Sequence, residues 1–467
     1  MSKIERYSVI GPKWLKGVVA MLIAVAAALP AYDAAAQTGS TNSYSPYSMF
    51  GIGELSTQGS LPMRSMGGVG VAWRSSSVAS LLNPAGYSAT ARKSMIFNFG
   101  AEGMHIDNTQ KKYAADGSYT GLARGAKNSA NFHDISLQIP LAKGLGLGIS
   151  LTPYSSVGYN MTVFEGDEGV WGDVGRVRHS YSGEGDITEV KLGVGWEFVK
   201  GLSAGVAAMY YWGDIDRSYG TAVVNNVTGM GSFSSTVGND NYSVSNVKFQ
   251  AGVQYNIISN SKRMLTVGAT YDLGGSLKPK ITRTVYNSDL NSTDVVKEKE
   301  RGQIRLPEQW AGGIFYKDAR WAAGVDYVYR NWSGHNRNTP VEIIFGGMEV
   351  GYVDTHTIKA GIEFTPNRFD VRSYFSRMSY RAGFRLGDYY QSFGGEKLGE
   401  YAVTMGIGFP VKFLGSSYID FGLEYGGRGS HKKLSETVGL VKQQYFKIAI
   451  GISMFGTDDW FVRFKYD

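Results

Sequence analysis

Residues 188–198 read Thr-Glu-Val-Lys-Leu-Gly-Val-Gly-Trp-Glu-Phe, and apolar side chains alternate along them with charged residues or glycine. Successive side chains of a β-strand point to opposite faces, so a period of two predicts a strand with one apolar and one polar face. The apolar positions are Val190, Leu192, Val194, Trp196 and Phe198. The opposing positions are Glu189, Lys191, Gly193, Gly195 and Glu197.

The same alternation recurs from about residue 93 to the C-terminus, for example in residues 247–255, 321–330, 358–364, 419–425 and 460–466. The polar faces carry charges of both signs, which we expect to form cross-strand pairs and to hydrogen bond a plug. These charged positions are Glu189, Lys191, Lys248, Arg320, Asp326, Arg330, Lys359, Glu363, Asp420 and Glu424.

The connections between these segments differ strongly in length. Tight links at Lys143-Gly144, Lys200-Gly201 and Asp318-Ala319 alternate with long polar stretches over residues 107–129, 219–243 and 333–353. Short turns on one side, long loops on the other and aromatic residues near the strand ends are typical of a transmembrane β-barrel. A bilayer requires every backbone polar group to be paired, so a sheet can span it only when closed. We therefore predict an all-β transmembrane antiparallel barrel rather than a soluble sandwich.

The number of strands follows from the number of alternating segments. Counting along residues 93–466 gives about fifteen strands, with boundaries good to a few residues. Bacterial single-chain barrels generally have even counts, so fourteen and sixteen strands are both compatible with the sequence. Two segments could account for the odd count: residues 175–199, which could break near Gly183-Glu184-Gly185, and the tail Trp460–Tyr466.

The N-terminus carries a signature of export. Gly17–Leu29 is apolar but too short to span a membrane, basic residues precede it, and Ala34-Ala35-Ala36 forms a small-residue cleavage signal before Gln37. The basic residues are Lys3, Arg6, Lys13 and Lys16. We predict a cleaved signal peptide over residues 1–36 and a location in the outer membrane of a Gram-negative-type cell.

Composition excludes several function classes. The chain contains no cysteine, which removes disulfides and thiolate metal sites, and its six histidines are scattered without metal-ligand spacing. The formal charge of +7 forms no basic cluster of the kind that binds nucleic acid. Trp73 occupies the last position where a dinucleotide-binding G-x-G-x-x-G needs glycine or alanine. We expect no cofactor, no metal, no nucleic acid and no enzymatic activity.

A hydrolytic Ser–His site remains an open alternative, because such sites are recognised in space and not by their order in the sequence. His179 beside Ser180, and His335 near Ser333, are the positions to consider. We expect these side chains to be ordinary polar residues of loops or of the lumen.

Residues 37–92 do not alternate like strands. They open with a Ser/Thr/Tyr-rich stretch and continue through segments rich in glycine and other small residues, including 63–73 and 80–87. A barrel of this size leaves a lumen too wide for wall side chains to fill. We predict that residues 37–92 form a hatch that plugs the barrel of residues 93–467, with a periplasmic linker as the alternative.

Four stretches of the chain resemble the FadL/TodX family of outer-membrane transporters of long-chain fatty acids and other hydrophobic compounds. Arg64–Ala72 followed by Asn83-Pro84-Ala85 resembles the family's hatch, and Tyr181–Ile187 its Gly-x-Gly strand pair. Leu306-Pro307 is similar to its Leu-Pro strand start. The last strands of the family resemble Tyr401–Pro410 and Trp460-Phe461.

The resemblance implies a 14-stranded barrel with a hatch in the lumen and passive uptake of hydrophobic molecules. Carried over residue by residue, it assigns Asn83, Pro84 and Ala85, with the glycines at 67, 68 and 70, to the hatch or gate. It also implies a sideways exit beside a kinked third strand. The third strand predicted here starts near Gly144 and contains Pro153 and Gly158; proline cannot donate to a ladder, so a defect there is plausible. An ordinary strand end near a loop is the alternative.

We therefore expect an outer-membrane channel for hydrophobic small molecules such as long-chain fatty acids, in contact with outer-membrane lipid. The alternative is a barrel without transport activity, an accessory partner of other outer-membrane proteins in an assembly or secretion complex. The inward charges put the size and lining of an apolar pocket in doubt.

Overall fold

The structure is a computed structural model of the chain. It describes residues 43–92, 94–114, 116–164, 176–224, 235–260, 262–287, 292–301, 304–335, 342–344, 348–411, 417–434 and 439–457. The predicted signal peptide and the tail Trp460–Tyr466 lie outside these residues.

Strands dominate the described residues. They are β1 Glu54–Leu55, β2 Ser94–Tyr113, β3 Tyr119–Ala142, β4 Leu145–Phe164, β5 Arg176–Val199, β6 Leu202–Val224, β7 Thr236–Ser259, β8 Met264–Asp272, β9 Gly275–Ser276, β10 Lys280–Asn287, β11 Ser292–Arg301, β12 Arg305–Leu306, β13 Gln309–Lys317, β14 Trp321–Arg330, β15 Glu342–Ile344, β16 Met348–Tyr352, β17 Thr355–Phe364, β18 Ser379–Phe393, β19 Glu396–Val411, β20 Ser417–Arg428 and β21 Val441–Thr457. Helical turns are confined to Pro46–Met49, Leu61–Arg64, Pro84–Ala89, Trp332–His335 and Phe375–Arg377. None of these helices is long and apolar enough to cross a membrane.

The sheet closes on itself as a 14-stranded antiparallel barrel, which confirms the predicted fold. The first wall strand, β2, pairs with the last, β21, from Ser94↔Thr457 to Gln110↔Val441. Segments β8 and β10 form one wall strand, and so do β11 and β13, β14 and β15, and β16 and β17. Strands β9 and β12 pair with each other in a separate two-stranded sheet. The count of about fifteen was too high. The suspected break near Gly183–Gly185 is absent, because β5 runs through it with Gly185 at a φ of 128°.

Residues 188–198 have the two faces that the sequence predicts. Leu192, Val194 and Trp196 are exposed on the outside of the barrel, whereas Glu189 and Lys191 are buried on the inside. An apolar exterior around a polar interior is the pattern of a barrel solvated by lipid. Arg320 departs from the predicted inward set because it lies exposed in the turn before β14.

The three predicted long loops all contain strand residues. Strands β6 and β7 extend into 219–243, and β15 and β16 lie within 333–353. The prediction fails most fully at 107–129. Residues 107–129 contain the paired ends of β2 and β3, joined by a tight turn at 114–118. Strands of this length reach beyond the apolar band of a barrel, which is about 25 Å tall. Both faces of the ribbon there meet water, so alternation of apolar and polar residues is no longer required. The alternation therefore disappears from the sequence of residues 107–129, although β2 and β3 continue to pair there.

Residues 43–92, here called the plug, lie against the inward faces of the wall. Inward glycines allow this approach, because a Cβ atom on any of them would come closer than 3.0 Å to an atom of the plug. They belong to ten wall strands on all sides of the lumen. These are Gly158, Gly195, Gly205, Gly252, Gly268, Gly324, Gly361, Gly383, Gly406 and Gly422.

Candidate functional site

A central cavity lies between the plug and the wall, with a volume of about 1660 Å³ that includes its connection to solvent. The plug contributes Glu54–Gln58, Val71 and Leu82 to its lining. The wall contributes polar, charged and aromatic side chains. This cavity is the best candidate for a ligand site in the part of the chain that the structure describes.

Charges of both signs line the central cavity. Some pair with one another or with neighbouring residues: Lys191 lies 3.7 Å from Glu189, and Arg385 lies 2.8 Å from Glu424. Tyrosines and a buried tryptophan lie among them. The charged lining residues are Glu54, Glu189, Lys191, Lys248, Asp272, Arg330, Lys359, Arg385, Asp388, Glu400, Arg428 and Lys447. The cavity therefore suits a ligand that has a polar or ionic group as well as apolar surface.

The Asn-Pro-Ala motif anchors the plug to one side of the wall. The Asn83 amide nitrogen donates to the Val71 carbonyl in the plug at 2.8 Å and to the Val253 carbonyl of β7 at 3.1 Å. Its amide oxygen accepts from the Ala85 backbone N–H at 3.0 Å and so caps the turn Pro84–Ala89. Gly205 of β6 leaves space for the backbone of Pro84 and Ala85.

The glycine-rich stretch anchors the plug to other wall strands. The N–H of Gly67 donates to the Thr404 hydroxyl of β19 at 2.9 Å, and that of Gly70 donates to the Asp326 carboxylate of β14 at 2.7 Å. Gly67 and Gly68 have φ angles of 74° and 87°, which favour glycine. Gly68 lies over the Lys359 side chain, which a Cβ atom on Gly68 would contact at 3.6 Å.

The predicted gate residues thus hold the plug in place but do not line the cavity. The plug residues that do line it, chiefly Glu54–Gln58, were missed by sequence reasoning. They form a short polar stretch with no motif. Their position depends on a contact with a strand about a hundred residues further along the chain, and no local pattern encodes that contact.

The wall has an incomplete seam between β3 and β4. These strands pair only from Ile135↔Leu151 to the turn at Ala142↔Leu145. Beyond that point β4 continues to pair with β5 up to Phe164, with a bulge between Pro153 and Ser155. Residues 119–134 of β3 pair with β2 and form no ladder with β4 in the described structure. The edge of β4 beyond Leu151 is therefore open to another partner.

The plug supplies that partner. Strand β1 pairs antiparallel with β4, with Glu54 opposite Ser156 and Leu55 opposite Ser155. The Gln58 side chain donates to the Pro153 carbonyl at 2.8 Å. Further along the edge, the Ser45 N–H donates to the Gly158 carbonyl at 2.8 Å, and a Cβ on Gly158 would collide with the plug backbone. Pro153 and Gly158 thus both lie where the plug covers the seam.

A second cavity, of about 620 Å³, lies at this seam. Its lining includes Ser129, Asn131 and His133 of β3 together with Pro153 and Ser155 of β4. Residues 54–57 of the plug line both this cavity and the central one. Strand β1 and the two residues after it therefore separate the central cavity from the gap in the wall.

Aromatic side chains hold the plug at the end of the barrel that carries the β18–β19 turn. The rings of Tyr47 and Phe50 pack on Phe393 of β18 with centroid distances of 4.9 and 5.5 Å. The Tyr390 hydroxyl donates to the Gly53 carbonyl at 2.6 Å, and its ring packs on Trp332. These contacts cover the plug at the end of the barrel opposite the turns 143–144, 200–201 and 318–320.

Ion pairs also join the plug to the wall. Arg64 pairs with Glu102 of β2, and Arg74 pairs with Glu197 of β5 at 2.6 Å. Glu54 lies 2.9 Å from Arg428 of β20. Removing one partner of a buried pair leaves an uncompensated charge, so these contacts oppose displacement of the plug.

Two Ser–His positions were considered from the sequence, and the side chain of His335 in the second lies outside the described residues. His179 hydrogen bonds to Thr221 at 3.1 Å, and the adjacent Ser180 donates to the Gly220 carbonyl. Neighbouring residues of one strand point to opposite faces, so this pair forms no nucleophile–base dyad. Among the described residues, no cluster of His, Asp and Glu could hold a metal ion.

Comparison with known proteins relates the chain to one family and to one group of solved structures. The family model described as BamG matches residues 18–467. A FadL homologue from Pseudomonas aeruginosa superposes with a TM-score of 0.59 at 12% identity, covering 86% of this chain and 99% of its own. The toluene transporter TodX of Pseudomonas putida gives 0.53 at 14% identity, covering 87% and 99%. No curated protein sequence matches.

Proposed function

Since the chain belongs to the BamG family and shares the fold of FadL-type channels, we propose that it is an outer-membrane channel for passive uptake of hydrophobic small molecules such as long-chain fatty acids. The seam between β3 and β4 carries this proposal. There the described β3 and β4 form no ladder beyond Ile135↔Leu151, and residues 54–57 of the plug lie between the central cavity and the second cavity at this gap.

The proposed path runs from the central cavity past β1 into the second cavity and then sideways into the membrane. Pro153 and Gly158 mark the lateral opening, and the pairing of β1 with β4 is its closed state. A sideways exit suits an apolar solute, because returning its surface to water costs about 25 cal/mol per Å². The plug acts as the hatch, held by Asn83-Pro84-Ala85 and by Gly67, Gly68 and Gly70.

The lining of the cavity supports a ligand with both apolar and ionic parts. A long-chain fatty acid has an acyl chain and a carboxylate, and cationic side chains such as Lys359 and Arg330 face the cavity. TodX is a toluene transporter, and toluene has no ionic group. An amphipathic ligand therefore fits this lining better than a bare hydrocarbon does.

A reversible cross-link between β1 and β4 tests the proposal. The chain contains no cysteine, so Leu55→Cys with Ser155→Cys introduces one pair at facing positions of β1 and β4. We expect oxidation to abolish uptake of a labelled fatty acid by a Gram-negative host that lacks its own fatty acid channel. Reduction should restore uptake, because it frees β1 from β4.

The matched control places the cross-link in the wall. Val325→Cys with Ala360→Cys joins facing positions of β14 and β17 without touching the plug. Uptake through this variant should be the same under oxidising and reducing conditions. If the Leu55–Ser155 cross-link forms and uptake continues unchanged, the proposed lateral path is wrong.

A second candidate function is that of an accessory barrel, without transport activity, in an outer-membrane assembly or secretion complex. Ion pairs and buried aromatic contacts hold the plug against the wall, and these contacts favour a barrel whose plug does not move. Native mass spectrometry of a mild-detergent extract discriminates the two functions. Bound fatty acid supports the channel, whereas a stoichiometric second barrel without bound lipid supports the accessory role.

A further inference from the structure

One connection at the end with short turns is unlike the others. The described turns there are 143–144, 200–201, 260–263 and 318–320, but β17 and β18 are joined by residues 365–378. Short turns mark the periplasmic end of outer-membrane barrels. Residues 365–378, here called the knob, therefore project from the periplasmic rim.

The knob carries the most exposed large apolar side chains of the described structure. Phe369 is 90% exposed, Val371 94% and Phe375 71%. All other exposed large apolar side chains of the described residues, including those that face lipid, lie between 37% and 59%. Side chains that project this far are covered very little by the part of the chain that the structure describes. Exposed apolar clusters of this kind mark sites of interaction with proteins or membranes.

The exposure is not a consequence of an irregular loop. The Asn367 N–H donates to the Ser376 carbonyl at 2.7 Å and closes the base of the knob. The Asp370 carboxylate accepts from the backbone N–H groups of Arg372 and Ser373 at 2.8 and 2.9 Å. The backbone therefore holds the apolar side chains outward in a defined arrangement, which lowers the entropy lost on binding.

The second half of the knob is continuous with the lipid-facing wall. The Tyr380 hydroxyl, on the outer face of β18, donates to the Phe375 carbonyl at 3.1 Å. The Tyr374 hydroxyl donates to the carbonyl of Pro410 at 3.0 Å. The residue before Pro410, Phe409, packs edge-on against Phe421 of the exterior. The apolar surface of the knob thus extends the aromatic rim of the barrel at the level of the membrane interface.

The charges of the knob complement phospholipid headgroups. Arg372 is exposed, and the Arg377 guanidinium lies 5.0 Å from the centroid of the Tyr374 ring. Asp370, the acidic residue of the knob, is engaged with its own backbone. Arginines beside aromatic residues at a membrane rim can reach lipid phosphates while their stems stay in the apolar region.

We propose that the knob is an interfacial anchor that inserts Phe369, Val371 and Phe375 into the periplasmic leaflet, while Arg372 and Arg377 bind the phosphates of anionic phospholipids. The occupant is a lipid surface rather than a periplasmic protein, because the knob continues the lipid-facing rim. The anchor lies on the far side of the barrel from the β3–β4 seam.

Spin labels on single cysteines test this anchor in the full-length barrel. The label is placed at Val371→Cys in the knob and, as the matched control, at Lys200→Cys in an exposed turn of the same end. Both proteins are reconstituted in vesicles of phosphatidylethanolamine and phosphatidylglycerol. We expect the label at 371 to collide more with oxygen and less with a water-soluble nickel chelate than the label at 200.

Substitutions in the knob distinguish insertion of its apolar side chains into the membrane from insertion of the spin label alone. In the Val371→Cys background, Phe369→Ser with Phe375→Ser should return the collision ratio to that of position 200. Arg372→Gln with Arg377→Gln should remove the difference between these vesicles and vesicles of phosphatidylcholine. A heat-modifiable gel shift in every variant shows that the barrel is folded.

Two results would overturn the anchor. Equal collision ratios at positions 371 and 200 in the anionic vesicles would place the knob in water. Protection of position 371 from both oxygen and nickel in native membranes, together with free access of nickel in vesicles, would mean that a periplasmic protein covers the knob.

Discussion

The wall of this barrel is completed in two different ways on its two sides. At the β3–β4 seam, strand pairing stops at Ile135↔Leu151, and the backbone of the plug pairs with the β4 edge between Tyr154 and Gly158. At β17–β20, each strand pairs with the next along the membrane-spanning part. There Arg381 of β18 also binds Glu363 of β17 at 2.7 Å and Asp420 of β20 at 2.5 Å.

The two kinds of contact differ in how easily they can be exchanged. A backbone hydrogen bond contributes about 0.5–1.5 kcal/mol net, and water or another strand can replace it. A buried charge that loses its partner has no such replacement in the lumen. We infer that the β17–β20 side is the fixed part of the wall and that the β3–β4 side is the part able to open.

The largest expected effect is on the fixed side. Arg381→Met should lower the free energy of unfolding by about 3–5 kcal/mol, because Asp420 would keep a buried charge without its ion-pair partner and Glu363 would keep only Arg368, 3.3 Å away. Urea unfolding in lipid vesicles, followed by tryptophan fluorescence, measures the change. The control is Arg124→Met: Arg124 pairs with Asp107 at an exposed position, so its loss should cost at most about 1 kcal/mol. Equal costs would remove the distinction between fixed and openable sides.

A smaller effect, with a clearer functional result, is expected at the seam. Gly158→Val would bring a side chain into the backbone of Ser43, since even a Cβ would lie 1.8 Å from its carbonyl oxygen. We expect the plug to leave this edge at a cost of about 1–3 kcal/mol. Uptake of bulky antibiotics that intact outer membranes exclude should rise, while the heat-modifiable gel shift is retained.

The control for the seam is a glycine whose Cβ would meet open space. Gly312 of β13 has no atom within 4 Å of such a Cβ. Gly312→Val should leave antibiotic uptake at the wild-type level. If both variants admit antibiotic equally, the leak reflects glycine loss from the wall in general and the seam has no special role.

The seam also shows which features a local pattern encodes. The turns Lys143-Gly144 and Lys200-Gly201 have the same sequence, and their glycines have φ angles of 72° and 82°. Even so, the hairpin at 200–201 pairs along its whole length, and the hairpin at 143–144 pairs only near its turn. Pro153 marks the difference in the sequence, because a proline lacks the donor that a ladder needs.

The faces of the strands could be predicted from the sequence, whereas the contacts of the plug and the lining of the cavity could not. The alternation in residues 188–198 fixes which face meets lipid, because each position depends only on its neighbours. The pairing of Glu54–Leu55 with β4 depends on the closed barrel that brings the two segments together. The cavity lining depends in the same way on contacts across the lumen, so the charges were predicted but the space they surround was not.

Loss of an anchor on the plug should have an intermediate effect. Asn83→Ala removes the acceptor of the buried Ala85 N–H and the donor to Val253, whereas the Val71 carbonyl keeps its hydrogen bond from Gln254. Leaving a buried polar group unpaired costs about 1–3 kcal/mol. If Asn83 holds the hatch in its working position, uptake of a fatty acid should slow while the barrel stays folded. Hydrogen exchange should increase in residues 80–90 and remain unchanged in β17–β20. Unchanged uptake would count against a gate at this position.

The smallest expected effect concerns a single hydrogen bond between the plug and β4. Gln58→Ala removes the donor to the Pro153 carbonyl and should weaken docking of the plug on β4 by about 0.5–1.5 kcal/mol. Amide exchange should then quicken in residues 54–58, where β1 rests on the seam, without a change at Asn83 or in the wall of β17–β20. If amide exchange instead quickened throughout the plug, the contact of β1 with β4 and the contacts of Asn83 would open as one unit. Lateral exit would then require movement of the entire plug.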